Sequence, residues 1–388
     1  MDKRILFVDD DPIILDGIRK VLHGQADRWE MHFCDSGDAA LEKLGERLFD
    51  VVVTDLQMPK MDGKSLLKAV HILYPSVIRI ILTGRDDREM DLRKVPIAHH
   101  FLVKPCRADV MVDVIERTVS LRAYLYKAAM TESFDKLDAL PTAPWIYTTI
   151  TKALSNPQTT GTEVTRILES DAEISRQILS FARARVIGNR VAPKDISEAV
   201  MSLGFNLVKN AALTFAVFAI SEAADPETLG VFDAVHRHAL RTASIAQTLA
   251  PSAIHSEDVF LAAVLHDIGK WAIAAIAPER YTRIQRHLEE QSCTFSEAEA
   301  ALYDVSHAEL GAYLLERWGL NYPIVEAIAY HHAPELIPMT RGKLSLPAVV
   351  YIADRLENGL SIPEALLEKW GLTADRDSWS RAVETVLQ

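Results

Sequence analysis

Early in the chain, two apolar runs stop abruptly at carboxylates. RILFV gives way to Asp9 and Asp10, and VVVT gives way to Asp55. A short apolar run ended by charge reads as a buried strand whose carboxyl end reaches solvent. Two further runs behave alike: IRIIL ends at Thr83, and HHFLV ends at Lys104 and Pro105. Helix-like stretches at 12–23, 37–48, 63–73 and 86–94 separate the runs. This alternation of strand and helix predicts a doubly wound, flavodoxin-like α/β domain with a parallel sheet. Chemistry in such sheets gathers beyond the carboxyl ends of the strands. The sequence sends Asp9, Asp10, Asp55, Thr83 and Lys104 there.

Carboxylates crowded at one edge repel each other unless a cation sits among them, and hard oxygen ligands suit Mg²⁺. Lys104 and Thr83 add a positive charge and a hydroxyl, which fit the oxygens of a phosphoryl group. Asp55 is then the candidate nucleophile for an aspartyl phosphate. The "DD" after the first strand, Asp55 with MPKMDG, the Thr83 strand end and "KP" at 104–105 resemble the receiver domain of two-component response regulators. The resemblance spans residues 3–122 and implies phosphorylation of Asp55 by a sensor histidine kinase. It also implies a backbone carbonyl of Gln57 as an Mg²⁺ ligand and Phe101 as the rotating aromatic switch. His99 and His100 read as surface-loop residues.

Charge narrows the alternatives. Lys and Arg number 42 against 54 Asp and Glu, a net charge of −12. That balance argues against broad electrostatic binding to nucleic acid or anionic membrane. Cys34, Cys106 and Cys293 have neither zinc nor disulfide spacing, so a reducing cytoplasm is expected. The start MDKRILFVDDDP does not read as a signal peptide. Apolar stretches such as AALTFAVFAI (211–220) fall short of the roughly 20 residues of a membrane span.

Residues 107–129 contain neither Gly nor Pro, and Val110, Val114, Leu121 and Leu125 fall at helical spacing. Such a helix suits either a lever to the output domain or a pairing surface in a homodimer; it suits equally the receiver's last helix with an extension. The expected layout is a receiver at 1–122, a connector at 123–137, an all-α output domain at 138–355 and a helical tail at 356–388. Strand signals vanish after about residue 140. The acidic stretch 159–179 has the outline of a helix-turn-helix, but the charge argues against DNA binding.

Within the helical region LAAVLHDIGKW (261–271) buries two ionisable residues in an apolar run. Buried charge is costly unless paired or bound to metal. Val231, Val235, His238, Thr242 and Ile245 share one helix face, as do His307, Leu310, Gly311, Leu314 and Trp318. Ile324, Ala327, Ile328 and His331 form a third such face, with His332 beside it, and Asp354 follows Val350 by one turn. Imidazoles and carboxylates converging from several helices suit Fe, Mn, Zn or Co. Gly311 would let another helix approach closely, and Lys270 could pair with Asp267 or meet a phosphate.

His238, His266–Asp267 and Asp354 resemble the signature of the HD superfamily of metal-dependent phosphohydrolases. His307, His331, His332 and Lys270 resemble its HD-GYP branch, which hydrolyses cyclic di-GMP. That branch continues HHExxDGxGYP, whereas this chain reads HHAPELIPMTRG. The stretches LPTAPWIYTTITKAL, ISEAVMSLGFNLVKNAAL and HAELGAYLLERWGLNYPIVEAIAYHH resemble the HDOD domain, a regulatory relative usually regarded as non-catalytic, over 138–355. Many HDOD relatives have lost metal ligands, while this sequence carries the full set. The sequence supports two readings. In one, phosphorylation switches an HDOD module that binds a downstream protein or nucleotide. In the other, a metal-dependent phosphodiesterase, with a cyclic dinucleotide as one candidate substrate, is controlled by the receiver.

Overall fold

The computed structural model describes residues 3–84, 98–129, 141–154, 156, 158–184, 192–219, 226–373 and 379. They divide into two compact units, one made of the chain up to Tyr124 together with Gly319–Tyr322, the other of Leu125–Trp318 and the chain from Pro323 on. The segment 86–94 and most of the tail beyond 373 lie outside the described residues.

The first unit is a parallel sheet of β1 (Lys3–Val8), β2 (Trp29–Cys34), β3 (Val51–Asp55), β4 (Ile78–Thr83) and β5 (His100–Val103), in the order β2-β1-β3-β4-β5. Helices α1 (Pro12–Val21), α2 (Gly37–Glu46) and α3 (Gly63–Leu73) connect the early strands. The apolar runs form the sheet because they bury both faces: every residue of β3 and β4 is buried. Side chains alternate between two cores, with Leu6, Val52 and Ile81 on one side and Ile5, Val51, Val53 and Ile80 on the other.

Strand β2 is absent from the sequence reading. WEMHFC lies at the sheet edge and buries only Trp29 and Cys34. Neither a continuous apolar run nor clean alternation marks it, so pairing with β1 decides its state. His99 and His100 also differ from expectation. His99 is buried and accepts a hydrogen bond at Nδ1 from the Arg79 backbone N–H (2.8 Å), and His100 opens β5.

Helix α4 (Ala108–Ala129) is continuous, as its lack of Gly and Pro requires. Its buried stripe is Met111, Val114, Ile115, Thr118, Leu121 and Leu125, while Val110 is exposed. The expected stripe was therefore displaced by one position at its start.

The second unit is all-α. A first cluster joins α5 (Trp145–Leu154), α6 (Gly161–Glu169), α7 (Ala172–Ala184), α8 (Ile196–Leu203) and α9 (Phe205–Ala219) around Ile146, Ile150, Val164, Leu168, Ile178 and Val208. There follow α10 (Pro226–Leu249), α11 (Ser256–Leu265), α12 (Ile268–Ile276), α13 (Pro278–Gln291), α14 (Phe295–Leu302), α15 (His307–Arg317), α16 (Tyr322–Tyr330), α17 (Leu346–Glu357) and α18 (Glu364–Trp370). In the tail, Trp370 is buried with its ring edge-on to Tyr351 at 5.8 Å. The span Ser256–Ile276, made of α11 and α12, has the length and apolar composition of a membrane helix, with 83% of its window buried inside the protein.

Two glycines set how closely α12 and α15 approach. A Cβ on Gly269 would lie 1.8 Å from the His307 carbonyl oxygen and 3.0 Å from the Gly311 nitrogen, and a Cβ on Gly311 would lie 2.9 Å from the Gly269 nitrogen. Both obstacles are backbone, so relief requires the helices to separate. Gly269→Ala is expected to lower unfolding free energy by about 1–3 kcal/mol through overpacking, measured by urea denaturation. A loss under about 0.5 kcal/mol would contradict this contact.

Candidate functional site

Strand register assembles the first site. Val8 pairs with Thr54, Asp55 with Leu82, and Thr83 with Val103. Asp9, Asp55, Thr83 and Lys104 therefore sit at or one step past the same ends of adjacent strands. The chain order reverses between β1 and β3, so Asp9 and Asp55 flank the topological switch point. Lys104 Nζ donates to Asp9 Oδ2 at 2.6 Å and also to Asp55 Oδ1. Asp55 Oδ2 accepts from the Gln57 backbone N–H at 2.8 Å. Asp9, Asp55 and Thr83 are buried, Phe101 is half-buried against the sheet core, and Asp10 and the Gln57 side chain are exposed.

The loop after Asp55 has its own physical logic. The Asp62 carboxylate caps α3 by accepting from the Ser65 N–H at 2.7 Å. A Cβ on Gly63 would fall 1.9 Å from the Asp55 carbonyl oxygen, so glycine permits this tight return. Burial pushes the Asp9 carboxyl up, against the pull of Lys104. Burial would lower Lys104, but its hydrogen bonds to Asp55 and Asp9 win and raise it. The ammonium is thus held charged between two acids.

The second site gathers side chains from five stretches of the helical unit. His238 comes from the middle of α10, and Asp354 from α17. His307 is the first residue of α15. His266 and Asp267 occupy the break between α11 and α12, as C-cap and N-cap. His331 and His332 lie just past the end of α16. The expectation that each sits on a helix therefore holds for His238, His307 and Asp354, while the others occupy helix junctions and ends.

Two groups of ligand-type atoms form. His238, His266 and Asp354 make one, and Asp267, His307, His331 and His332 make the other. Within the first, His238 Nε2 lies 3.1 Å from His266 Nε2 and 3.0 Å from Asp354 Oδ1. Within the second, His307 Nε2 lies 3.3 Å from His331 Nε2 and 3.1 Å from Asp267 Oδ1. The Asp267 carboxylate stands between the groups. Its Oδ2 is 3.6 Å from His238 Nε2 and 3.5 Å from His266 Nε2, while Oδ1 faces His307 and His331. Lys270 donates to Oδ2 at 2.7 Å. His332 is the exposed member, with Nδ1 3.9 Å from Asp354 Oδ2.

The far side of each buried ring explains the near side. His266 Nδ1 donates to the Ala263 carbonyl (2.7 Å) and His331 Nδ1 to the Ile328 carbonyl (2.6 Å), both in the last turns of their helices. Those carbonyls have no intrahelical partner. His238 and His307 have no such free carbonyl and use carboxylates instead: Glu357 Oε2 at 2.5 Å and Glu299 Oε2 at 2.5 Å. With an acceptor behind each Nδ1, the Nε2 atoms of four imidazoles aim inward. This is the orientation of metal-ligating histidines.

Electrostatics sets His238 apart from His331. Burial favours neutral His238, yet Asp354 and Glu357 outweigh it and push the ring up to about 10. Burial, aided by neighbouring His266 and His307, pulls His331 down to about 4 despite Asp267. Asp267 Oδ1 is fully buried without a hydrogen-bond donor. Ring nitrogens converging on this buried carboxylate oxygen fit a cation. The sequence reading missed Glu357 and Glu299. Glu357 had a signal, since it follows Asp354 by three residues on one helix face. Glu299, inside FSEAEAAL, is indistinguishable by pattern from a solvated glutamate.

Comparison with known proteins agrees with this architecture. A model of the HDOD domain matches residues 140–334, half of the chain, and a model of the response regulator receiver domain matches residues 5–116. An uncharacterized protein of Treponema pallidum is 24% identical over 226 residues, which is 57% of this chain and 44% of its own length. The uncharacterized transcriptional regulatory protein YesN of Bacillus subtilis is 32% identical over 124 residues, 30% of this chain and 32% of its own length. The chain thus spans less than half of either relative. A solved HDOD domain protein of unknown function from Geobacter sulfurreducens aligns over 69% of this chain and 99% of its own, with 23% identity and a TM-score of 0.50, a likeness of fold. The chain belongs to the HDOD family and joins that domain to an N-terminal receiver domain, the composition of a two-component response regulator.

Proposed function

We propose that Asp55 is the phosphoacceptor of this response regulator and that its modification switches the state of the HDOD unit. The observation that carries the reading is Lys104 held between Asp9 and Asp55 at the sheet's switch point. Lys104 would neutralise an incoming phosphoryl group, and Thr83 and Phe101 would respond to it. Asp9, Asp10, Asp55 and the Gln57 carbonyl would hold Mg²⁺, which supplies charge neutralisation when bound. A sensor histidine kinase is the expected phosphodonor, and the cytoplasm the expected compartment. A downstream protein or nucleotide would be the ligand of the output, and pairing of two copies through α4 remains part of this reading.

We further propose that the HDOD unit holds one or two divalent ions through His238, His266, Asp267, His307, His331, His332 and Asp354, with Fe, Mn or Zn as the candidates. When bound, such ions supply Lewis acidity toward water and phosphate oxygens. Lys270, fixed beside Asp267, is placed to meet a substrate anion. The undiminished donor set around the orphaned Asp267 oxygen favours a second reading, hydrolysis of a phosphodiester under receiver control.

Asp55→Asn is expected to abolish labelling by a small phosphodonor such as acetyl phosphate; persistent labelling would overturn the receiver assignment. His238, pushed up to about 10 without metal, carries a second proton at neutral pH. A cation taking Nε2 must displace it. Mn²⁺ loading should therefore release a proton, and affinity should rise with pH, read by calorimetry in buffers of different ionisation heat. A binding heat independent of buffer would contradict this. Metal-loaded protein assayed on a phosphodiester panel separates the two output readings: turnover lost in folded Asp267→Asn supports hydrolysis, and absence of turnover in the parent removes it.

A further inference from the structure

Four imidazoles aim Nε2 at the candidate metal centre, but they are held from behind in two different ways. His266 and His331 use carbonyls left free at helix ends. His238 lies inside α10, where its neighbours' carbonyls are consumed by the helix, and His307 opens α15, where the unpaired groups are N–H donors. Neither helix position supplies an acceptor for Nδ1. Each ring must borrow one from a distant segment, and each borrows a glutamate.

The two glutamates are not equivalent. Glu299, from α14, is completely buried and binds His307 twice. Its Oε1 accepts from the His307 backbone N–H at 2.8 Å and its Oε2 accepts from the ring Nδ1–H at 2.5 Å. Glu357, from α17, takes the His238 ring through Oε2 alone at 2.5 Å; its Oε1 lies 3.7 Å from Arg241 Nη1, an exposed group.

We infer that Glu299 is a positioning residue that sets the tautomer of His307, and thereby controls loading of the half of the centre formed with Asp267, His331 and His332. The inference rests on the metal-centre reading above. Its chemistry is a matter of counting donors and acceptors. Both His307 groups facing Glu299 are donors, so both need an acceptor oxygen. Glutamine has one oxygen and one NH₂ group. The backbone N–H cannot move its proton, so it keeps the glutamine oxygen. The amide NH₂ then faces the ring and requires an acceptor at Nδ1. The ring proton shifts to Nε2, and its lone pair is withdrawn from the metal position. Glu357→Gln creates no such conflict, because a single oxygen suffices for the single ring contact. One isosteric change is therefore expected to disable half of the centre, while the same change on the other side is not.

The test titrates full-length protein with Mn²⁺ alone, in a background where Asp9→Asn and Asp10→Asn remove the receiver's own cation site, following stoichiometry by calorimetry and geometry by electron paramagnetic resonance. This parent should take up two ions and give the spectrum of a coupled pair. Glu299→Gln should keep one ion at its original affinity, weaken the other by about 10–100-fold, and give the six-line spectrum of an isolated ion. Glu357→Gln should keep both ions and the coupled spectrum. Circular dichroism and the urea midpoint check that each variant is folded. If Glu299→Gln proves unfolded, imidazole ¹⁵N magnetic resonance of the metal-free parent serves in its place: His307 should carry a proton on Nδ1, and a neutral ring protonated on Nε2 instead would overturn the inference. Two ions with unchanged affinities in folded Glu299→Gln, or equal losses in both glutamine variants, would overturn the inference alone. A parent that lacks the receiver site and binds no Mn²⁺ would overturn the metal-centre reading and the inference with it.

Discussion

The helical unit is organised by one buried carboxylate. Asp267 places an oxygen toward each of two clusters of imidazoles, and one of those oxygens has no hydrogen-bond donor. Carboxylates in such surroundings are stable only beside positive charge. Lys270 supplies one such charge. The other contacts come from Nε2 atoms of rings held from behind through Nδ1, which a proton or a cation must bridge to the carboxylate. The break between α11 and α12, the glycine contact between α12 and α15, and the helix-end location of His331 all serve to bring these groups together. A regular interior leaves no carbonyl free to orient a ring, so His266 and His331 take theirs at helix ends while His238 and His307 use carboxylates.

The receiver unit solves a related problem with different means. Its acids converge through strand register, and Lys104 resolves their repulsion. The chain therefore carries two acid clusters of unlike character. One is built of hard oxygens with a lysine between them, suited to Mg²⁺ and a phosphoryl group. The other is rich in imidazole and suited to transition metals.

The sequence exposed these sites unequally. Asp9, Asp55, Thr83 and Lys104 were legible because strand ends are sharp: burial stops where charge starts. Asp62 and Gly63 were legible as a motif, and the structure supplies the reason in a helix cap and a close backbone approach. Strand β2 was invisible because an edge strand needs neither a full apolar run nor alternation. The inward faces at His307 and Ile324–His331 were readable as helical stripes, since buried apolar residues share that spacing. That His266 sits at a helix end was not readable, because apolar residues continue on both sides of it, whereas the end at His331 is signalled by Pro334 three residues on. Glu299 was unreadable for a deeper reason. Its role is defined by two donors on another helix, and sequence spacing within its own helix contains no trace of them.

The central claim is that the Asp267 carboxylate is shared between cation positions. Anomalous diffraction from crystals of the protein loaded with Mn²⁺ tests it most directly. The account predicts two anomalous peaks flanking that carboxylate, one within coordination distance of His238, His266 and Asp354, and one within reach of His307 and His331. Absence of any peak beside Asp267, or imidazoles rotated so that Nδ1 rather than Nε2 faces the cluster, would contradict it.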